Sequence, residues 1–487
     1  MMNNEIAKLE PTLLWENFYA LTQIPRPSKK EKKAADHVVA FGKKLGLETI
    51  VDRIGNVIIK KPATKGMEDR KTIVLQGHVD MVPQKNSDKI HDFEKDPIQT
   101  YIENGWVKAN GTTLGADNGI GVAAAMAVLQ DTNLQHGPIE ALFTIDEETG
   151  MTGAFGLEAG LLDADILLNL DSEDEGELYV GCAGGSNANI TFKYDEVKAD
   201  AGSVAFKLSL TGLKGGHSGM DIVLGRGNAN KLIFRLLKEV ISTYGVRLST
   251  INGGSLRNAI PREAFAIVTV PTNNVIAFTE AVEEFASIYQ NELAATEPHL
   301  KLQAEKCDMP ATVMDELSQD DLVNAIQACP NGVIRMSDTM AGLVETSLNL
   351  AIVKSEGGET KAMCLIRSSV DTAKEDVEST LDSIFRLAGA NIHFNGQYPG
   401  WKPNPDSEIL TVMKDVYHKK FGKVPKVKGI HAGLECGILG AVYPKWDMIS
   451  FGPTIRFPHS PDEKVNIESV EKFWHYLTET LKAVPKK

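Results

Sequence analysis

The sequence predicts an α/β fold: a discontinuous main domain, with a mixed sheet between helices, and an inserted α+β domain of two lobes. Three observations point there. Short apolar runs alternate with helical spacing through the first part of the chain. From about Ser186 longer strand patterns interleave with long amphipathic stretches, and the same theme recurs once. After Tyr398-Pro399-Gly400-Trp401-Lys402-Pro403 the first style returns. The expected segments are 1–188, 189–396 and 397–487, and a chain of 487 residues is too long for one ordinary domain.

Leu13–Ile24 has helical spacing, which Pro25-Arg26-Pro27 breaks. Ser28 is placed to cap a second helix that runs to about Leu45. Asn56–Lys60 and Thr72–Gln76 read as strands, and Asn118–Gln130 as a helix rich in Ala and Val. Ile139–Ile145 and Ile166–Leu170 are short apolar runs suited to buried strands, which need cover on both faces. In the middle of the chain, Val204–Leu210 and Ala264–Val270 pattern as strands around the helical stretches Asn228–Tyr244 and Ala277–Leu293. Ser347–Val353, Ala362–Arg367 and Lys374–Leu387 repeat strand, strand, helix. Ser407–Phe421, Met448–Phe451 and Ile467–Leu481 close the chain as helix, strand and helix.

Composition narrows the classes. The chain is 24% charged and 43% hydrophobic, as expected of a globular protein, and its net charge of -14 disfavours nucleic acid and anionic lipid as partners. The N-terminus lacks a basic start and an apolar stretch, and the longest apolar run, near Ile120–Leu129, is well short of the roughly 20 residues a membrane helix needs. Five widely spaced cysteines without a C-x-x-C pair argue against both a disulfide framework and a thiolate zinc site. A cytoplasmic location is expected.

Five segments place a metal-binding type of residue at the end of an apolar run. In Val74-Leu75-Gln76-Gly77-His78-Val79-Asp80-Met81, strand alternation sends His78 and Asp80 to the same side, so Asp80 can orient the ring of His78. In Thr113-Leu114-Gly115-Ala116-Asp117-Asn118-Gly119, Asp117 reads either as a helix cap or as a carboxylate shared between two metals about 3.5–4 Å apart. Ile145-Asp146-Glu147-Glu148 sets three acids after a buried strand, where one glutamate can bind metal while its neighbour moves protons. Asp171 ends the run Leu168-Asn169-Leu170, and His459 lies in the loop Phe457-Pro458-His459-Ser460-Pro461. Each residue alone is as well explained by a solvated strand end or a surface turn. The set supplies two histidines and three or four carboxylates at strand ends, where open α/β sheets place ligands. Nitrogen and oxygen donors without thiolate suit Zn²⁺, two per chain, with Co²⁺ or Mn²⁺ as substitutes.

These segments, in this order, resemble the co-catalytic metallopeptidase family that contains peptidase T, peptidase V, carnosinases, aminoacylases and glutamate carboxypeptidases. Gly111-Thr112-Thr113-Leu114-Gly115-Ala116-Asp117-Asn118-Gly119, Gly215-Gly216-His217-Ser218-Gly219, Asn258-Ala259-Ile260-Pro261-Arg262-Glu263 and His431-Ala432-Gly433-Leu434-Glu435-Cys436-Gly437 are similar to its bacterial Xaa-His dipeptidase branch. The resemblance covers nearly the whole chain. It implies that His78 and Asp171 complete one metal, Glu148 and His459 the other, and that Asp117 bridges them, followed by a cis peptide. It also implies Glu147 as general base and acid, Asp80 as the residue that orients His78, and His217 as a donor on the inserted lid.

Asn258, Asn349 and Arg367 are further substrate-binding candidates. Arg367 is suited to a dipeptide's carboxylate, and equally to a surface salt bridge. Smaller members carry an Arg on the strand after the Asn-Ile-Pro phrase. Here Ala264–Val270 has none, so the roles are divided between lobes, with Asn349 and Arg367 on the second. By analogy His431 and Glu435 lie near the site, with Glu435 a receptor for a substrate amino group; the plainer reading is a tightly packed loop. The implied activity is hydrolysis of dipeptides, including Xaa-His such as Ala-His and β-Ala-His. The alternatives are an N-acyl amino acid deacylase and a catalytically inactive peptide-binding protein on the same fold. Four ligands precede the insertion and His459 follows it, so the catalytic domain is discontinuous. A homodimer is compatible with the resemblance; a two-lobed lid also lets His217 act within its own chain.

Overall fold

Every residue of the strands Ile73–His78 and Ile139–Thr144 is buried. Successive side chains point to opposite faces of a sheet, so such strands are covered on both sides. They lie at the middle of an eight-stranded sheet in the structure, a computed structural model that describes residues 4–487. The chain forms two compact units. One runs to Gly181 and takes in Pro403–Gly429 and Leu434–Lys487; the other comprises Cys182–Lys402 with Ile430–Gly433.

In the discontinuous unit, Ile139–Thr144, Ile73–His78, Ile166–Asn169 and Asp447–Ser450 are adjacent and parallel. Antiparallel strands flank them, with Glu48–Val51 and Val57–Lys61 on one side and Glu177–Cys182 on the other. Met448 pairs opposite Leu167, so a strand that follows the insertion completes a sheet begun before it. The helix Ala116–Gln130 packs on the helix Thr12–Thr22 and on the strand Ile73–His78. Each of its residues from Asn118 to Leu129 is buried, as its Ala, Gly and Val content allows. Ser407 and Asn466 cap the two closing helices, Glu408–Phe421 and Ile467–Ala483, by accepting from Leu410 N and Ser469 N.

Ser28 corrects an expectation. The second helix begins only at Lys32, and Ser28 does not cap it. The Ser28 hydroxyl donates instead to Asp80 Oδ2 at 2.7 Å. The helix starts four residues beyond Ser28, with Glu31 at its cap position, so the serine stands too early in the chain to cap it.

A separate four-stranded antiparallel sheet joins Thr100–Glu103, Trp106–Ala109, Lys464–Asn466 and Ile455–Arg456. Ile455 faces Val465 across this ladder, which makes the segment that carries His459 the loop of a hairpin.

The inserted unit is built on one nine-stranded sheet. Its first half contains Lys301–Lys306, Ser203–Thr211, Ala264–Pro271 and Arg247–Gly253; its second contains Val344–Glu356, Glu359–Ser368, Gly184–Lys193 and Asn391–Tyr398. The halves meet where Asn252 pairs with Lys354 and Gly253 with Val353. The two lobes read from the sequence are thus halves of one sheet. They also share one apolar core, in which Phe206, Phe234 and Phe278 of the first half join Phe192, Leu348 and Phe385 of the second. Asn228 caps the helix Ala229–Tyr244. Among the described residues, no helix is long and apolar enough to cross a membrane.

Candidate metal centre

The carboxyl ends of the parallel strands deliver most of the candidate ligands. His78 is the last residue of its strand, Glu147 and Glu148 follow Ile139–Thr144, and Asp171 follows Ile166–Asn169. Asp117 comes from the mouth of the helix Ala116–Gln130. There Gly115 has φ 70°, Asp117 and Asn118 have non-helical angles, and the bond between them is cis. Asn118 Nδ2 donates to Leu170 O at 2.7 Å, which anchors this turn beside Asp171.

The side chains converge. His78 Nε2 lies 3.2 Å from Asp117 Oδ1 and 3.4 Å from Asp171 Oδ1. His459 Nε2 lies 3.2 Å from Asp117 Oδ2 and 3.0 Å from Glu148 Oε2. Asp117 therefore shows one oxygen to each histidine. Donors held at 2.0–2.1 Å on the corners of a tetrahedron stand about 3.3 Å apart, so both groups have the spacing that a shared cation would set. Glu148 Oε1 is buried without a hydrogen-bond donor, and Asp171 Oδ1 has only the long contact to His78. Buried carboxylate oxygens of that kind call for a positive charge. Among the described residues, His78, Asp117 and Glu148 also offer ligand atoms within 4.8 Å of one another.

Asp80 organises this cluster. It is fully buried; Oδ1 lies 3.3 Å from His78 Nδ1 and accepts from Glu147 N at 3.0 Å, while Oδ2 accepts from Glu148 N at 3.3 Å. Burial works against its charge, but His78, the Glu147 amide and Ser28 outweigh it and hold the carboxyl at about 2. Asp146 enters the turn at φ 49°, held by hydrogen bonds from Thr149 and Thr152.

A buried polar chain runs across the central strands below the ligands. Asn169 Nδ2 donates to Gln76 Oε1 at 2.5 Å. Gln76 Nε2 and Thr144 Oγ1 donate to Glu435 Oε2 at 2.6 and 2.8 Å. Ser450 Oγ donates to Asn169 Oδ1 at 2.5 Å. Glu435 opens the helix Glu435–Val442, in place of the tightly packed loop that is the plainer expectation from the sequence.

Too many carboxylates share this volume for all to ionise freely. Burial, helped by neighbouring carboxylates and opposed by the charge of His78 or His459, pushes Asp171 and Glu435 up to about 7 and Glu173 to about 8, and raises Glu147 well above the usual range. His459, hydrogen-bonded by Asp117 and Glu148, is raised to about 11. Shifts of this kind, set by burial and by charges held close together, gather at functional sites and in buried ion-pair networks.

The family of the chain follows from a match of its sequence to the family model described as Peptidase family M20/M25/M40, over residues 74–483. The chain belongs to this family. It is 49% identical over 484 residues, 99% of this chain and 100% of the relative, to the cytosol non-specific dipeptidase of Escherichia coli strain K12. The solved structure of aminoacylhistidine dipeptidase from Vibrio alginolyticus is 51% identical and superposes with a TM-score of 0.97, covering 99% of this chain and 98% of that one. Aminopeptidase PepT from Bacillus cereus, at 17% identity, shares the fold with a TM-score of 0.58 over 98% of this chain and 99% of its own.

The other candidate residues of this M20/M25/M40 member lie in the inserted unit, except Glu435. His217 pairs with Ala259 in a two-residue ladder, and Asn258 O accepts from Ser218 N at 2.9 Å. Asn349 Nδ2 donates to Ala259 O at 2.8 Å and so supports the Asn258 loop. The side chain of His217 accepts at Nδ1 from Gly219 N and Met220 N, at 3.2 and 3.0 Å. In the neutral ring the proton is therefore on Nε2. Arg367 sits opposite Ser347 in the sheet and donates to Tyr398 Oη at 3.2 Å, and His431 Nε2 lies 2.7 Å from Ser347 Oγ. Gly219 lies among all three: a Cβ there would meet His431 O at 2.1 Å, His217 Cε1 at 3.1 Å and Arg367 Nε at 3.2 Å. The structure thus gathers His217, Arg367 and His431 in one unit and sets Glu435 with the candidate ligands in the other.

Sequence reasoning missed Arg26, Gln76, Thr144, Asn169 and Glu463, whose partners are all buried backbone or side-chain groups. Gln76 and Asn169 each stand two residues before a candidate ligand, on the same side of their strand, and that spacing was a usable signal.

Proposed function

We propose that this peptidase hydrolyses dipeptides, Xaa-His substrates such as Ala-His and β-Ala-His among them, with two Zn²⁺ ions per chain and in the cytoplasm. The observation that carries the reading is the carboxylate of Asp117 turned with one oxygen to His78 and the other to His459. Identity of 49% along the full chain to a non-specific dipeptidase supports the substrate class. His78 and Asp171 would hold one ion, Glu148 and His459 the other, and Asp117 both. Zinc suits a donor set of two imidazoles and three carboxylates. When bound, the two ions would acidify water and draw charge from the peptide carbonyl.

The residues of the chain do the rest. Glu147, raised well above an ordinary glutamate by burial, takes a proton from the attacking water and returns it to the leaving amine. Asp80 keeps the His78 ring turned with Nε2 toward Asp117 and Asp171. His217, with Nδ1 engaged by backbone amides, donates from Nε2 to the developing oxyanion. Asn258 and Asn349 shape the loop beside it, Arg367 binds the dipeptide's carboxylate, with His431 alongside, and Glu435 receives its amino group through Oε1.

Metal analysis of the purified protein, with rates on Ala-His, β-Ala-His and N-acetyl amino acids side by side, tests this. Metal-dependent release of free amino acids, abolished by a chelator, is expected. Faster turnover of the N-acetyl compounds would make the enzyme a deacylase, and no turnover of either class would reject the reading.

A further inference from the structure

Glu463 is buried, and its carboxylate accepts four consecutive backbone amides. Oε2 takes Leu114 N at 2.7 Å and Gly115 N at 2.9 Å; Oε1 takes Ala116 N at 2.7 Å and Asp117 N at 3.2 Å. The left-handed Gly115 turns these amides toward one point, a concavity that selects an anion. Arg26, also buried, grips the same loop from its carbonyl side. Its Nη2 donates to Gly115 O at 2.5 Å, and its Nη1 to Val79 O at 3.0 Å and Asp80 O at 2.9 Å. A Cβ at Gly115 or Gly119 would stand 2.6 Å from Arg26 Nη2, so glycine at both places makes room for the guanidinium.

These contacts join three distant stretches of chain. Val79 and Asp80 follow His78, the four amides end at Asp117, and Glu463 closes the hairpin loop that carries His459. Neither Glu463 nor Arg26 is needed to touch a metal or a substrate. A carboxylate is required because four donors need two acceptor oxygens. A glutamine in the same place would aim an NH₂ at two of them.

We propose that Glu463, backed by Arg26, is the positioning residue for Asp117, holding its backbone so that the side chain can bridge two cations. This rests on the two-metal reading above. Arg26 and Glu463 act before any substrate arrives, so their effect is read in metal binding itself.

The test is a Zn²⁺ titration of metal-stripped, full-length protein against a chromophoric chelator, repeated with Co²⁺ to read coordination from its absorption spectrum. In Glu463→Gln the second equivalent is expected to bind roughly 10–100-fold more weakly, with an altered Co²⁺ spectrum. Arg26→Lys keeps the charge but loses the fork, and shifts the same way by a smaller factor. A merely structural role would lower the melting temperature and leave the two binding constants of the folded protein unchanged. Two equivalents bound with wild-type affinity by both variants would overturn the proposal. Should neither variant fold, amide hydrogen exchange in metal-stripped wild type decides. Strong protection of residues 114–117 supports the clamp, and exchange at open-loop rates overturns it. A wild type that binds no metal removes the two-metal reading and the clamp together; a wild type that binds two beside unaffected variants removes the clamp alone.

Discussion

His459 Nε2 lies 3.2 Å from Asp117 Oδ2, although the two residues are 342 positions apart in the chain. Removing the ring should cost one ion and spare the other, because His78 and Asp171 approach the opposite oxygen of Asp117 or stand beside it. His459→Ala is expected to retain about one equivalent of zinc after dialysis where the wild type retains two. Elemental analysis measures this, and full retention by the variant would refute the ligand assignment.

Glu147 should separate binding from turnover. Its amide is tied to Asp80, so the turn keeps its shape when the side chain changes. Glu147→Ala is expected to bind both metals while kcat falls by roughly 10²–10⁴-fold or more. Unchanged turnover on Ala-His would reject it as the proton carrier.

His217 offers a sharper substitution. In His217→Asn the side-chain oxygen can replace Nδ1 as acceptor for Gly219 N and Met220 N, but the Nε2 donor is gone. Metal content and melting temperature should stay near wild type, with kcat down by roughly 10²–10³-fold. A fall in KM-dependent binding alone, with kcat intact, would speak for a substrate contact instead.

His431 gives a pH dependence. Burial, with Arg367 adding to it, holds the ring down at about 3. An unfolded histidine titrates near ~6.5, so unfolding takes up a proton between those values. The stability from this group is fully present above pH ~6.5 and is lost as pH falls toward ~3. Between about pH 7 and 5 the loss is at most about 2 kcal/mol. His431→Asn should be less stable than wild type at neutral pH, and the gap should narrow by up to that amount as acid is added. Parallel urea-denaturation curves at the two pH values would contradict this.

Phe234 is wholly buried in the core shared by the two halves of the inserted sheet. Phe234→Ala should lower the unfolding free energy by roughly 3–5 kcal/mol, read by chemical denaturation.

What the sequence revealed followed local physics. Helices with apolar periodicity and an end signal, such as Ala229–Tyr244 after Asn228, were placed within a residue or two. The buried parallel strands were visible as apolar runs, and their acidic or histidine ends as candidate ligands. Ser28 has the residue type of a cap, but the helix begins only at Lys32 and the hydroxyl's partner, Asp80, is 52 positions away, which no local pattern shows. The helix Glu435–Val442 was missed because eight residues with two glycines carry too little periodicity. The single sheet of the inserted unit rests on pairings such as Gly253 with Val353, which no local pattern encodes. Glu463 and Arg26 act on backbone groups, and backbone contacts leave no mark on the identity of the residues contacted, except at Gly115 and Gly119.

The hairpin that carries His459 also sets a timetable. A ribosome that makes ~5–20 residues per second needs ~15–60 s to pass from Asp171 to His459. For most of that interval His78, Asp117, Glu148 and Asp171 are all in existence, while the Asp447–Ser450 strand that completes their sheet is not yet made. Until His459 has been made, a nascent chain therefore carries an incomplete set of the candidate ligands, and on the two-metal reading proposed above the second ion can be held only after that point.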